Sequence, residues 1–208
     1  MKNTKKAWLV RAYPHGKYRF NEFRENNIVA IGWPGIGSLE YKPLKEELDS
    51  ILSGDPYNLK GIPRGLASST ITLFINSMNI DDYVLVPIDD NIYIGKIISD
   101  YKYQEDKDND QEGYPHQREV RWMAQTTRTE LSDDLRRLLK DRRTAADLST
   151  SVDEIEYLAT GKVPKKMEIN VNYPLRSDYE ISFSIPANIT ETEASRLSQY
   201  IKTLYYDN

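Results

Sequence analysis

Residues 20–39 read FNEFRENNIVAIGWPGIGSL, and this stretch decides how the fold is read. Ile28–Trp33 is an unbroken apolar run of strand length, bounded on its far side by the turn residues Pro34, Gly35 and Gly37. Phe20–Asn27, just before it, fits one short helix. The run therefore predicts a buried strand that ends on a tryptophan and reverses at once. A large ring at a strand exit belongs at the mouth of a sheet or barrel, which makes Trp33 a candidate binding residue. Gly32, Gly35 and Gly37 are interrupted by tryptophan and proline, so they suit a turn better than a phosphate cradle.

Working outward, Ala7–Ala12 (AWLVRA) predicts a short strand upstream. Downstream, Pro43–Leu52 predicts a helix with Leu44, Leu48 and Ile51/Leu52 on one face. Gly54–Gly65 holds two prolines and three glycines and predicts a loop. Leu66–Met78 predicts a second helix with Leu66, Leu73, Phe74 and Met78 toward the core. Tyr83–Ile88 and Ile92–Ile98 flank the polar turn Asp89-Asp90-Asn91 and predict a hairpin. Gly95 inside its second strand marks a bulge or a close backbone approach. Tyr103–His116 predicts an exposed loop, Arg118–Gln125 a further strand, Leu131–Leu139 an amphipathic helix with a basic outer face, and Asp153–Ala159 a short last helix.

Past Gly161–Lys166 the pattern changes. Met167, Ile169, Val171 and Tyr173 alternate with polar residues, as do Tyr179, Ile181, Phe183 and Ile185 across the turn at Pro174–Asp178. Thr190-Glu-Thr-Glu193 is a capping box for a helix carrying Ala194, Leu197, Ile201 and Leu204. Residues 165–208 thus predict a ββα module appended to a domain of residues 1–160. Such a module is small for an independent fold, and its sheet edges invite pairing with another chain. We expect it to serve as an assembly or adaptor module, most simply as a homodimer.

The 208 residues are 39% hydrophobic and 29% charged, the balance of a globular chain. No apolar run reaches the ~18 residues of a membrane span. The N-terminal MKNTKK flank is not followed by an apolar stretch of signal-peptide length. With no cysteine, disulfides and thiolate metal sites are excluded, and a cytoplasmic location is expected. The net charge of −4 argues for no particular partner, but its distribution does. Residues 1–19 carry Lys2, Lys5, Lys6, Arg11, Lys17 and Arg19 and no acid. Residues 118–143 carry Arg118, Arg121, Arg128, Arg136, Arg137, Lys140, Arg142 and Arg143 against five acids. A local basic face of this kind can neutralise phosphates; it is also what a solvated helix surface looks like.

Catalytic patterns are missing. The two histidines, His15 and His116, have no metal-ligand spacing, and no nucleophile elbow, phosphate loop or dinucleotide fingerprint occurs. Asp81, Asp89, Asp90 and Lys96 faintly permit a nuclease metal site, but they read more simply as turn residues. No metal, cofactor or enzymatic activity is expected. The 15 tyrosines, 4 phenylalanines and 3 tryptophans, beside local basic patches, suit a surface on which bases stack. Trp8 and Trp122, at a strand start and in mid-strand, are expected to pack in the core.

The order WLVRA, FRENNIVAIGWPGIGSL, a helix, DDYVLVP, IYIGKI and REVRW resembles the EVE-like domains of the PUA-like superfamily, which accompany Mrr-type nucleases in bacterial restriction systems. It is similar also to YTH domains, readers of N6-methyladenine. The resemblance covers roughly residues 7–160 and is most specific at Ile28–Trp33 and Arg118–Trp122. It implies an α+β fold: a PUA-like (EVE/YTH-type) β-barrel with flanking helices, followed here by the ββα module. It implies a flipped modified base in an aromatic cage, with Trp33 matching the cage tryptophan. The second wall would come from the loop after the hairpin, which offers Tyr101, Tyr103 and Tyr114 but no tryptophan; Tyr13 and Gly32 complete the expected pocket. Arg121 and Trp122 match the later R-W pair, and Arg11, Lys17, Arg121, Arg136, Arg137 and Lys140 are the expected nucleic-acid backbone contacts. The tail resembles a short adaptor module found at the ends of many bacterial proteins. The function so implied is non-catalytic binding of modified nucleic acid, DNA first, by base flipping in a restriction or antiviral setting, with a nuclease or other effector as partner. A modified-RNA reader and a protein-interaction adaptor with no nucleic-acid ligand are the alternatives.

Overall fold

The apolar run before Trp33 forms a strand, β2 (Ile28–Ile31), with all four side chains buried. A computed structural model describes residues 5–162, 168–187 and 189–204. The chain divides into two units, residues 1–160 and 161–208.

In the first unit the elements run β1 (Ala7–Val10), α1 (Phe20–Glu25), β2, α2 (Lys45–Ser53), α3 (Gly61–Thr72), β3 (Tyr83–Ile88), β4 (Asn91–Ile97), β5 (Lys102–Tyr103), β6 (His116–Thr127), α4 (Asp133–Leu138), β7 (Ala145–Asp147) and α5 (Val152–Thr160). The strands join in the order β2-β6-β4-β3-β1-β7, with β5 also on β6. Only β1 and β3 run parallel among the described pairs. The organiser is β6. Its first residues pair with β2 from Ile31↔His116 to Ile28↔Glu119, and the rest pair with β4 from Ile97↔Val120 to Asn91↔Thr127. One long strand shared in this way curls the sheet into an open half-barrel. Among the described residues β2 and β7 remain its edges, so the expected barrel is not closed.

Gly95 shows why the curl is tight. It sits opposite Trp122 at a register shift that leaves Met123 as the extra residue of a bulge. A Cβ on Gly95 would lie 3.3 Å from both the Trp122 ring and Val84. Glycine here admits the tryptophan, and the bulge adds twist.

Strand alternation sends the sheet into two cores. Trp8, Val10, Val84, Val86 and Val120 face α1, α2 and α3; Ala7, Leu9, Leu85, Ile92 and Ile94 face Leu135, Leu139, Leu148 and Ile155. Trp8 is buried as expected and donates from Nε1 to the buried Asp82 carboxylate at 2.8 Å. Trp122 is only half-buried, with the Arg24 guanidinium 5.5 Å from its ring centroid. Arg118, from the basic stretch, is 2% exposed and serves the fold. It donates to the carbonyls of Phe74 and Ile75, both at 2.9 Å, and of Ser99 at 3.3 Å. The first two belong to the wider π-turn, Leu73–Ser77, that ends α3. Their carbonyls would otherwise be orphaned in the interior.

Three expectations are corrected. The helix expected from Leu66 begins at Gly61, because Pro63 is well suited to a first helical turn. Leu66 is 48% exposed instead of facing the core. The loop between Tyr103 and His116 is not free. Lys17 and Arg19 donate to the carbonyls of Asp110, Gln111 and Glu112, while Tyr114 and His116 are buried beneath.

The second unit contains β8 (Glu168–Arg176), β9 (Tyr179–Pro186) and α6 (Glu191–Lys202). The hairpin register pairs Ile169 with Ile185, Val171 with Phe183 and Tyr173 with Ile181 on one face. On the other face Ser182 and Ser184 donate to Asn172 and Asn170. Thr190 and Glu193 form the expected capping box. Met167 and residues 163–166 lie outside the described residues. No helix among the described residues is long and apolar enough to cross a membrane.

Candidate functional site

The exit of β2 is built around two backbone demands. Gly32 lies beneath the Pro14–Gly16 turn, where a Cβ would come within 2.5 Å of the His15 amide nitrogen. Only glycine fits so close an approach. Trp33 follows with φ +66°, in the left-handed region that a bulky side chain enters only when its surroundings enforce it. Three contacts do so. Tyr57 donates its hydroxyl to the Pro34 carbonyl at 2.7 Å, Asp108 accepts from the Gly35 amide at 2.6 Å, and Tyr103 donates to the same Asp108 carboxylate.

Trp33 is thereby held half-buried between two recesses. One, of about 220 Å³, is lined by Tyr13, His15, Gly16, Gly32, Trp33, Tyr57 and Thr144. The other, of about 410 Å³, is lined by Trp33, Pro63, Leu66, Ala67, Thr70 and Asp141–Thr144. The first is smaller than the ~300–1,000 Å³ of pockets for drug-sized ligands and suits one planar ring system. Tyr13 at its rim is 54% exposed, with its ring 5.4 Å from that of Tyr18. Thr144 lines both recesses. Its carbonyl accepts from the Arg11 amide at 2.8 Å, while its hydroxyl has no hydrogen bond among the described residues.

Residues 8–148 match the profile of a family described as "Domain of unknown function (DUF8426)", which is more than half of the 208 residues. The chain belongs to the DUF8426 family. The matched segment carries every strand of the half-barrel and both recesses, and ends before α5. No curated protein and no solved structure matches the chain.

Within this DUF8426 segment the expected site residues part company. Trp33, Tyr13 and Gly32 come together in the smaller recess. Tyr101 and Tyr114, expected as a second wall, are buried, and Tyr103 is half-buried and bonded to Asp108. None of the three lines either recess. Burial pushes the Tyr101 hydroxyl far up, and burial with the Asp108 carboxylate pushes Tyr103 up to about 12. Arg11 and Lys17 are occupied with backbone carbonyls, Arg11 with those of Leu139 and Asp141. Arg136 and Arg137 pair with Asp133 and Asp134 one turn away, while Arg121 and Lys140 are exposed. The aromatic partner that sequence reasoning missed is Tyr57, which sat in a loop with no pattern to flag it. His15 and Thr144 were missed for the same reason. Arg142 and Arg143 were visible as charge but not as neighbours of Trp33. Among the described residues no group of three or more His, Cys, Asp or Glu is placed to hold a metal. Asp81 is instead paired with Lys96 at 2.7 Å.

His116 supports the site from below. It is fully buried opposite Ile31, with Nδ1 2.8 Å from the Tyr101 hydroxyl, which itself accepts from the Leu39 amide. The tyrosine proton is therefore directed at Nδ1, leaving the ring hydrogen on Nε2, a buried nitrogen without a hydrogen-bond partner among the described residues. Burial lowers the imidazole from 6.5 to about 4, against a smaller opposing pull from Asp108. Because the folded value is depressed, the unfolded chain binds the extra proton first as pH falls. Stability from this group is complete above about pH 6.5 and is lost toward pH 4, by roughly 3 kcal/mol. Denaturant titrations from pH 7 to 4 should show His116→Gln losing less stability on acidification than the parent. Parallel curves would remove His116 as the responsible group.

Proposed function

We propose that this DUF8426 chain is a non-catalytic reader of modified nucleic acid that stacks one flipped base on Trp33. The observation that carries the reading is the enforced left-handed Trp33 between two recesses, with Tyr13 and Tyr57 around the smaller one. A strained aromatic held ready at an opening is a preorganised stacking platform, and the strain is offset by the clamp from Tyr57 and Asp108. We read the half-barrel as a PUA-like domain of EVE/YTH type, acting beside a nuclease or other effector in defence against foreign DNA.

The energetics fit a selective but modest binder. Extruding a base costs a few kcal/mol, and stacking returns about 1–3 kcal/mol per base. A methyl group filling an apolar recess adds about 1–3 kcal/mol of discrimination. Duplex and single-stranded oligonucleotides of DNA and RNA, each with and without a methylated base, test the reading by titration calorimetry. Tighter binding of a modified strand supports it, and DNA is expected to lead. Equal or absent binding across the whole panel would sink it.

Phosphate contacts should supply the remaining affinity. Arg142 and Arg143 line the larger recess; Arg143 is held by Asp141, while Arg142 is exposed with no ion pair among the described residues. The double substitution Arg142→Ala/Arg143→Ala should weaken modified and unmodified strands alike. It should also reduce the slope of log K against log salt by about 0.7–0.9 for each phosphate that is no longer neutralised. Replacing Arg136, Arg137 and Lys140 should act in the same uniform sense but less strongly, since two of the three already have carboxylate partners. A loss confined to the modified base would contradict the phosphate role.

A further inference from the structure

The smaller recess is lined by one residue whose side chain the fold does not explain. His15 sits in the Pro14–Gly16 turn at φ +49°, a left-handed conformation that glycine or asparagine holds at lower cost. Two glycines from other segments make room for it. A Cβ on Gly32 would come within 2.5 Å of the His15 amide nitrogen, and one on Gly113 within 2.8 Å of the His15 Cβ. The imidazole does little for stability. Among the described residues its polar contact is from Nε2 to the Asp110 carboxylate at 3.2 Å, and Asp110 is exposed. A strained position kept for a side chain that stability does not need points to a use in the site.

We infer that His15 selects the base: its Nδ1 accepts a hydrogen bond from an exocyclic amino group, so the recess takes a modified cytosine or adenine and rejects thymine and uracil. This rests on the reading of the recess as a base site. The orientation of the ring carries it. Asp110 and Gly113 flank the Nε2–Cδ2 edge, with Cδ2 3.2 Å from where a Gly113 Cβ would stand. Neither of those residues lines the recess, whereas His15 does. The opposite edge, Nδ1 and Cε1, is therefore the one turned to the recess. A carboxylate facing Nε2 favours the tautomer with its hydrogen there, because two lone pairs would repel, and Nδ1 is left as an acceptor. An acceptor pairs with an amino N–H and repels a carbonyl oxygen. Cytosine and adenine present the amino group; thymine has a carbonyl in the same place. The Thr144 hydroxyl, also in the lining, can donate or accept and so does not discriminate.

Titration calorimetry of the full chain with single-stranded DNA, at about pH 8, above the ordinary histidine range, tests this through two matched pairs. 5-Methylcytosine and thymine share a ring and a methyl group and differ at C4, amino against carbonyl. N6-methyladenine keeps one amino hydrogen and N6,N6-dimethyladenine has none. For whichever amino base the recess takes, the strand carrying it should bind about tenfold more tightly than the strand carrying its matched analogue. His15→Gly removes the imidazole and suits φ +49°, so the turn is kept. In that variant the ratio should fall to about one, while the slope of affinity against salt stays as in the parent. Equal binding of both members of the pair by the parent overturns the inference, as does a preference that His15→Gly leaves intact. A different result would remove the base-reading function itself: neither methylated strand binding more tightly than the same strand with plain cytosine or adenine. The inference would then fall with it.

Discussion

Trp33→Ala should weaken binding of a modified strand by about 5- to 150-fold, the equivalent of the 1–3 kcal/mol that one base gains on an aromatic ring, while binding of unmodified strands through phosphate changes little. The fold should persist, since the ring is half-buried and its backbone is held by partners of Pro34 and Gly35 that the substitution leaves in place. A second comparison checks the conformational argument without any ligand. At φ +66° alanine retains the steric conflict that glycine lacks, so Trp33→Gly should be more stable than Trp33→Ala by about 1 kcal/mol, the reverse of the usual order. Equal binding by Trp33→Ala and the parent would remove Trp33 from the site. An alanine variant more stable than the glycine one would mean that the left-handed turn does not persist in solution.

Arg118→Met should cost roughly 3–5 kcal/mol, the largest loss of stability expected from a single substitution here. Methionine replaces the length of the side chain but none of the three hydrogen bonds, and it leaves the carbonyls of Phe74, Ile75 and Ser99 without a donor in the interior. Burial lowers the guanidinium only to about 10, so it is charged at neutral pH and each bond is charge-assisted. For the whole chain the melting temperature should fall by roughly 10 °C. Arg118→Lys should lie between the two, since one ammonium cannot span three carbonyls. A fall of under about 2 °C for Arg118→Met would show that the π-turn at the end of α3 finds other partners.

These outcomes separate two kinds of basic residue that look identical in a sequence. Arg118 and Arg121 are three apart on one strand, yet one is 2% exposed and capped by carbonyls and the other faces solvent. Composition marks both as candidates for phosphate. The difference arises because side chains alternate along a strand: Arg118 shares its face with the buried Val120, toward the core beneath α3, and Arg121, three residues on, points to the opposite face. The aromatics divide in the same way. Tyr114 belongs to the polar stretch Tyr103–His116, whose pattern predicts exposure, and Tyr101 lies just before it. The carbonyls of Asp110, Gln111 and Glu112 are captured by Lys17 and Arg19, and that capture folds the loop over its own tyrosines.

Local pattern was enough wherever period and turn chemistry act over a few residues. The strand before Trp33, the Tyr83–Ile97 hairpin, the close approach at Gly95, the Thr190 capping box and the alternation of the C-terminal hairpin all follow from neighbours along the chain. The position of Trp33 at a strand exit belongs with them. What surrounds that ring does not. Tyr13, Tyr57 and Thr144 come from three distant segments, and no periodicity links positions so far apart. They meet because the curl of the sheet around β6 brings its β1–β7 end and the α2–α3 connection to the exit of β2. Long-range packing of this kind is a property of the whole sheet, set by shared strands and a bulge, and no short window of sequence contains it.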